Sequence, residues 1–205
     1  MIVRRPLSRR AVLSGLAGGV MLPAFARSAG AVSPIEVFAD ADVPVLGNSR
    51  GDVAIAVWFD YQCPFCKKAE VDMMRVARED GKVAILLKDW PIFGARSEAA
   101  ARAKFSSRRQ GRLEKVHAGL MAIEGRPTEE RVEAVLKASG VDRKRLDADI
   151  ATDRKRFDGL VTRNGAQADA FGFRGTPAFV VGTFVFGGVL DADGFRQAIA
   201  DARKR

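Results

Sequence analysis

The sequence predicts an α/β fold in which a helical subdomain interrupts the order of the sheet. The apolar runs 53–59 and 83–87 flank a helical pattern, and a strand, helix and strand of this length pair in parallel through a right-handed crossover. Helical patterns then fill residues 97–170, far more than one crossover needs. Two further β runs within 178–186 are separated by two turn residues and predict a hairpin.

The first 31 residues differ in composition from the rest and predict an export signal. Four arginines precede a weakly apolar stretch rich in Gly and Ala, and no acidic residue occurs before Glu36. This segment contains the run Ser8-Arg9-Arg10-Ala11-Val12-Leu13, which resembles the twin-arginine export signature. The general secretory route and an uncleaved membrane anchor are the alternatives. Cleavage is expected after Ala26 or Ala31, the mature domain is predicted at residues 32–205, and the predicted location is the periplasm.

The net charge of the mature domain argues against nucleic acid as a partner. Removal of residues 1–31 lowers the formal net charge from +9 to +4, because this segment holds five arginines and no acids. The remaining 29 basic and 25 acidic side chains are scattered, without the dense basic stripe and aromatics of a nucleic-acid surface.

The mature chain opens with short apolar segments before the first long strand. Residues 35–38 are predicted as a short first strand and residues 43–46 as an extended lead-in, each ended by turn residues. The helix that contains Cys66 is predicted to end at Gly81. Its buried stripe is expected to be Val71, Met73, Met74 and Ala77.

The helical insertion is predicted at about residues 95–172. Its helices are expected at 97–109, 113–123, 128–139 with Thr128 as the cap, and 142–171 as one or two helices. The hairpin Ala178–Val181 and Phe184–Phe186 follows, and residues 191–204 close the chain as an amphipathic helix with Phe195 and Ile199 inward.

Both cysteines of the chain lie directly after the first long strand, in Cys63-Pro64-Phe65-Cys66. Cys63 is thereby at a strand-to-helix turn, where unpaired N–H groups and the helix dipole favour the thiolate. Pro64 suits the first helical position, where its missing N–H costs nothing. A bridge over two residues closes too small a loop to stabilise a fold, so the pair indicates redox chemistry. We expect an exposed Cys63 and a partially buried Cys66.

Other uses of the cysteines fit the sequence less well. His117 is the only histidine and is predicted to pack within a helix, which leaves no Cys/His protease pair. Two cysteines and one distant histidine fall short of the usual four zinc ligands. Lys67 follows Cys66, so the haem-attachment pattern is absent. We expect neither a metal nor a cofactor.

The order of elements resembles the thioredoxin fold, and the size of the insertion resembles that of the DsbA family. The resemblance runs from about Val43 to the C-terminus and is carried by Phe59-Asp60-Tyr61-Gln62-Cys63-Pro64-Phe65-Cys66, Lys88-Asp89-Trp90-Pro91 and Gly175-Thr176-Pro177-Ala178-Phe179. It implies that Pro177 is cis and lies against the Cys63 sulfur, and that Thr176 presents its backbone to an extended substrate segment. The residues alone leave open a trans Pro177 at an edge strand and a Thr176 hydroxyl that only caps the loop.

Phe65 departs from the Cys-Pro-His-Cys sequence of the strongly oxidising family members. Phenylalanine cannot donate a hydrogen bond to the thiolate, so we expect a less extreme oxidant. Asp60 and Asp89 lie at or near the ends of neighbouring strands and are candidates for handling the proton of Cys66. The alternative is that both are solvated residues at strand ends.

The resemblance implies an exported thiol:disulfide oxidoreductase that introduces disulfides into exported proteins with free thiols. Its electrons would pass to a membrane quinone-linked reoxidase of the DsbB type. One alternative is an isomerase or reductase kept reduced by a membrane electron donor; the short segment before the sheet favours a monomeric oxidase instead. Another alternative is a Cu(I)-handling protein, because two soft thiolates suit that ion.

Overall fold

The computed structural model describes residues 34–204, so the predicted export signal lies outside the described residues. The elements are α1 (Pro34–Phe38), β1 (Val45–Gly47), β2 (Val53–Phe59), α2 (Pro64–Asp80), β3 (Val83–Asp89), α3 (Ala95–Ser107), a 3-10 turn (Arg108–Gln110), α4 (Leu113–Met121), α5 (Glu129–Ala138), α6 (Arg143–Ala170), β4 (Ala178–Val181), β5 (Phe184–Gly187) and α7 (Ala192–Arg203). One sheet has the strand order β1, β3, β2, β4, β5.

The sheet confirms the predicted α/β architecture. Strands β2 and β3 are parallel, and the other neighbouring pairs are antiparallel. All seven residues of β3 are buried, as expected of a parallel strand covered on both faces. Helices α2 and α7 pack against each other, and α6 packs against β3. The insertion comprises α3 to α6 and lies between β3 and β4, as predicted.

Helix α2 begins and ends at the residues that the sequence indicates. Cys63 is its N-cap, and the side chain accepts a hydrogen bond from the backbone N–H of Cys66. Gly81 closes the helix in the left-handed conformation (φ 73°), which glycine adopts without strain. Pro64 occupies the first helical turn, where no intrahelical donor is missed.

The buried face of α2 differs in part from the predicted stripe. Met73 and Ala77 are buried as predicted, but the side chain of Val71 is 67% exposed. The buried face is set by Ala69, Met73 and Val76, which follow each other at spacings of four and three residues. Val71 comes two residues after Ala69, about 200° around the helix, and therefore points away from the core.

The long helical region of the insertion is one helix, α6, not two. It continues through Gly159 and Gly165, although a glycine within a helix costs up to about 1 kcal/mol relative to alanine. Tertiary contacts offset this cost. The indole N–H of Trp58 donates to the Asn164 carbonyl at 2.8 Å, and the Asn164 amide donates to the Asp89 carbonyl at 3.0 Å.

The predicted first strand at residues 35–38 is wrong, because these residues form the short helix α1. Val37 is completely buried, and a single helical turn next to β2 is enough to bury it. The segment is too short for its periodicity to distinguish helix from strand. The extended lead-in at residues 43–46 is confirmed and overlaps β1, in which Leu46 pairs with Ile85 of β3. No helix within residues 34–204 is long and apolar enough to cross a bilayer.

Candidate active site

The register of the sheet gathers the site at one edge. Strands β2 and β3 end side by side, because Phe59 pairs with Asp89. Strand β4 runs antiparallel to β2 with Ala178 opposite Trp58, so the residues that precede β4 lie beside the same end of the sheet. The Thr176–Pro177 peptide bond is cis. Three distant parts of the chain therefore meet here, namely residues 60–66, 90–97 and 175–177.

The sulfur of Cys63 makes two hydrogen bonds with backbone groups. It accepts one from the N–H of Cys66, with 3.3 Å between N and Sγ. Its thiol donates to the carbonyl oxygen of Thr176, with 3.2 Å between Sγ and O. Both cysteines are free thiols in this structure. The cis-proline loop thus contacts the Cys63 sulfur through the carbonyl of Thr176.

The two thiols differ strongly in acidity. The hydrogen bond from the Cys66 side chain, with the N–H groups of Phe65 and Cys66, lowers the pKa of Cys63 to about 6 although burial opposes this. Its hydrogen bond to Cys63 and its own burial raise the pKa of Cys66. At neutral pH the reduced site therefore holds a thiolate at Cys63 and a thiol at Cys66.

Burial does not distinguish the two cysteines. Cys63 is 1% exposed and Cys66 is 3% exposed, so the expectation of an exposed Cys63 is wrong. The loop before β4 lies over the Cys63 sulfur and excludes solvent. The two thiols of the reduced site therefore differ in acidity and not in exposure.

The Asp60 carboxylate joins two segments of the site, residues 60–66 and residues 90–97. One oxygen accepts hydrogen bonds from the N–H of Gln62 at 2.7 Å and from the hydroxyl of Ser97 at 2.6 Å. The other oxygen accepts from the N–H of Phe93 at 3.0 Å. Asp60 is 1% exposed, so its interpretation as a solvated strand-end residue is wrong. This carboxylate fixes the loop before Cys63 to the start of the insertion.

Asp89 forms a buried ion pair with a residue of the insertion. Its carboxylate lies 2.5 Å from Nζ of Lys104, and both side chains are fully buried. Burial lowers the pKa of Lys104. The solvated alternative is therefore wrong for Asp89 as well. Within residues 34–204, neither this carboxylate nor that of Asp60 is hydrogen-bonded to Cys66, and their role in proton transfer stays a prediction.

A buried chain of hydrogen bonds that the sequence did not indicate lies next to the cysteine loop. The Tyr61 hydroxyl lies 2.8 Å from Nδ1 of His117, and Nε2 of His117 lies 3.0 Å from the Glu70 carboxylate. The His117 ring also packs edge-on against Phe59. His117 is buried in a helix as predicted, and it also connects α4 to the loop before Cys63 and to α2.

Two aromatic side chains are exposed at the edge of the site. Phe65, between the cysteines, is 60% exposed, and Phe93 is 53% exposed. Exposed phenyl rings beside a reactive group provide apolar contacts for a polypeptide. Among residues 34–204, no group of three His, Cys, Asp or Glu side chains is arranged to hold a metal.

The fold and the site together define a class of protein, the thioredoxin-like dithiol oxidoreductases with a helical insertion. A family model described as a DSBA-like thioredoxin domain matches residues 54–200. The chain belongs to this family and is a DsbA-like thiol-disulfide oxidoreductase with Cys63 and Cys66 as its active-site pair.

Solved structures share the fold. A thioredoxin-like oxidoreductase from Silicibacter pomeroyi is 33% identical with a TM-score of 0.80, and the match covers 85% of this chain and 99% of that one. The thiol-disulfide exchange protein alpha-DsbA2 from Wolbachia pipientis is 22% identical with a TM-score of 0.76, covering 82% and 90%. A periplasmic thioredoxin-like protein from Salmonella enterica is 22% identical with a TM-score of 0.74, covering 82% and 94%. No curated protein sequence matches the chain.

Proposed function

We propose that this protein is an exported thiol oxidase that introduces disulfides into other exported proteins. The observation that carries the proposal is the pKa of Cys63, lowered to about 6, beside a Cys66 whose pKa is raised. Stabilisation of the reduced thiolate makes the oxidised form the stronger electron acceptor. Export to the periplasm is supported by the leader at residues 1–31 and by the similar Salmonella protein, which is periplasmic.

The reaction begins with the disulfide between Cys63 and Cys66. A client thiolate attacks Sγ of Cys63, a mixed disulfide forms, and Cys66 leaves and takes up a proton. A second client thiolate then attacks the client sulfur of the mixed disulfide and expels Cys63. The client is oxidised by two electrons and the enzyme is reduced by two. Cys63 is the better leaving group in this second step because its thiolate is the more stable one.

Thr176 is proposed to position the client. When Cys63 is protonated, its thiol donates a hydrogen bond to the carbonyl of Thr176. When Cys63 is ionised or bonded to sulfur, that proton is gone and the carbonyl can accept a backbone N–H of an extended client segment. Pro177, which has no N–H, supplies no competing donor at this place.

Asp60 and Asp89 are proposed to handle the proton that Cys66 takes up. Both carboxylates are buried, but each is engaged by other partners, Asp60 by the cysteine loop and Asp89 by Lys104. A proton would therefore reach Cys66 through an intervening group such as a water molecule. Asp60→Asn would remove the charge, but its amide nitrogen cannot accept the hydrogen bond from the N–H of Phe93, so this variant would also weaken the attachment of the insertion.

The electron acceptor is proposed to be a quinone-linked membrane reoxidase of the DsbB type, and the protein is proposed to act as a monomer. Reoxidation of the reduced dithiol by such a partner completes the cycle. An isomerase or reductase would instead be kept reduced and would act on disulfides that already exist.

The test is the oxidation of a defined dithiol peptide by the oxidised mature protein. We expect stoichiometric formation of the peptide disulfide and of the reduced enzyme, at a higher rate than that at which the protein repairs a scrambled disulfide protein. In Cys66→Ala whose Cys63 has first been converted to the mixed disulfide with glutathione, a peptide with a single cysteine should displace glutathione and stay bonded to Cys63. Cys63→Ala/Cys66→Ala is the matched control that forms no such adduct. Repair of scrambled disulfides without net oxidation of dithiols would overturn the proposal in favour of an isomerase.

A further inference from the structure

A pocket of about 710 Å³ lies beside the first turn of α2, next to the reactive cysteine. Pro64, which follows Cys63, forms part of its wall. The other lining residues are Gln62, Phe93, Ala95, Arg96 and Arg126. The lining thus combines an exposed phenyl ring with two guanidinium groups and includes no carboxylate.

The wall that carries Phe93 is held rigidly to the cysteine loop. The side-chain amide of Gln62 donates to the Phe93 carbonyl at 2.9 Å and to the Ser97 hydroxyl at 2.8 Å. The buried Asp60 carboxylate accepts from the N–H of Phe93 at 3.0 Å, behind this wall. An exposed ring on a fixed backbone is a preorganised contact, because little entropy is lost when a ligand packs on it.

The wall that carries Arg126 is held by two other cations. Lys67, the residue after Cys66, donates through Nζ to the carbonyls of Ile123 and of Gly125, the latter at 2.9 Å. Arg131 donates to the carbonyls of Glu124 and of Arg126, the latter at 3.4 Å. The loop 123–126 is therefore fixed against the start of α2, and this part of the insertion lies next to the active site.

The two arginines of the pocket have no acidic partner in the part of the chain that the structure describes. Arg102, Arg163 and Arg203, in contrast, each pair with carboxylates. Arg96 and Arg126 are both exposed and close to an apolar contact surface. An arginine binds a carboxylate through two parallel hydrogen bonds, so unpaired guanidinium groups in a pocket select an anionic ligand.

We infer that this pocket is a client subsite that binds an acidic side chain located within a few residues of the client's reactive cysteine. The inference deepens the proposed oxidase function and rests on it. Phe93 and Pro64 receive the apolar part of the client segment, while Arg96 and Arg126 receive the carboxylate. The subsite favours exported clients with Asp or Glu beside a cysteine over clients with neutral or basic residues there.

The test compares dithiol peptides of equal length that differ only in flanking residues. One peptide carries two Glu residues beside the reactive cysteine, a second carries Gln at both places, and a third carries the two Glu residues about eight positions away. The measured quantity is the second-order rate constant for oxidation of each peptide by the oxidised protein. We expect the first peptide to react about fivefold faster than the second, and the preference to fall at high salt.

Variants of the two arginines assign the preference to the pocket. In Arg96→Gln/Arg126→Gln the ratio of the first two rate constants should fall to about one, and in Arg96→Glu/Arg126→Glu it should invert. The matched control is Arg50→Gln/Arg154→Gln, which removes the same charge. Arg50 lies before β2, at the opposite end of the sheet from the pocket. Arg154 follows Asp153, which contacts Arg109 just after the C-terminal end of α3, about 20 Å along that helix from Arg96. The control should keep the wild-type ratio.

Three results would overturn the inference. The first is equal rates for the first and second peptides. The second is equal rates for the first and third peptides, which would assign the preference to the overall field of the protein. The third concerns oxidation of the reduced enzyme by glutathione disulfide. If the arginine variants changed this rate as much as they change the peptide rates, the pocket would be assigned to small anionic disulfides. Failure of the wild type to oxidise any of the three peptides would instead reject the proposed oxidase function.

Discussion

At the scale of single residues, the low pKa of Cys63 comes from the groups that surround its sulfur. The N–H groups at the start of α2 face the Cys63 sulfur, but the largest contribution to its low pKa is the hydrogen bond from Cys66. The second cysteine is therefore more than a resolving thiol, because it also stabilises the first as a thiolate.

This dependence predicts the titration of the reduced protein. The ultraviolet absorbance of the thiolate should rise with a midpoint at about pH 6, the pKa of Cys63. In Cys66→Ala the midpoint should move upward, because the strongest donor to the thiolate is lost. The oxidised protein is the control and should show no such transition. An unchanged midpoint in Cys66→Ala would show that the helix terminus alone sets the acidity.

Phe65 predicts a second property of the same sulfur, the reduction potential. Its phenyl ring is exposed and offers the thiolate no donor. In Phe65→His a hydrogen bond to the thiolate, worth about 1.5 kcal/mol, should raise the potential by about 30 mV. Equilibration with glutathione buffers measures this shift, with Phe65→Leu as the control that should match the wild type. A potential in Phe65→His at or below that of the wild type would contradict the prediction.

At the scale of secondary-structure elements, the insertion is attached to the site by buried polar groups. Lys104 of α3 pairs with Asp89 of β3, and His117 of α4 connects Tyr61 with Glu70. Buried polar groups stabilise a fold only when all of them have partners. The removal of one member should therefore lower the free energy of unfolding by an amount that grows with the number of buried polar groups left without a partner.

The variant His117→Phe tests this argument. It keeps a ring in the core but leaves the Tyr61 hydroxyl and the Glu70 carboxylate without their partner, so the free energy of unfolding should fall by about 2–3 kcal/mol. Glu114→Gln, an exposed change on the same helix, should stay within about 0.5 kcal/mol of the wild type. Denaturant unfolding measures both. Combining His117→Phe with Tyr61→Phe should recover part of the loss, and full stability of His117→Phe alone would refute the role of the chain.

The same elements show how far the sequence predicts the structure. The long strands, the helix from Pro64 to Gly81 and the hairpin follow from patterns within a few residues, and all are confirmed. The burial of Cys63 depends on the carbonyl of Thr176, 113 residues away, and no local pattern indicates it. The partner of His117 lies 56 residues away, so the residue could be predicted as buried but not as part of a chain.

At the scale of the whole molecule, two thiols with opposite pKa shifts make stability depend on pH and on redox state together. The folded-state pKa of Cys63, about 6, lies below its unfolded value of about 8.5. Unfolding therefore takes up a proton between these pH values, and the stability of the reduced protein rises with pH there. The folded-state pKa of Cys66 is raised instead, so above about pH 8.5 unfolding releases its proton and stability falls again.

The stability of the reduced protein relative to the oxidised protein should therefore pass through a maximum near pH 8.5. The rise from about pH 6 should amount to about 2 kcal/mol, after allowance for solvent screening of Cys63. Denaturant unfolding of both redox forms at several pH values gives the difference between their free energies of unfolding. Groups that titrate alike in both forms cancel in this difference. One such group is Lys88, whose pKa is lowered by burial to about 8. Cys63→Ser cannot form the disulfide, so its free energy of unfolding is compared with that of the oxidised wild type; this difference should lack the rise and keep the fall above pH 8.5. A difference that stays flat between about pH 6 and 8.5 would mean that the fold does not favour the Cys63 thiolate, and the driving force proposed for client oxidation would be absent.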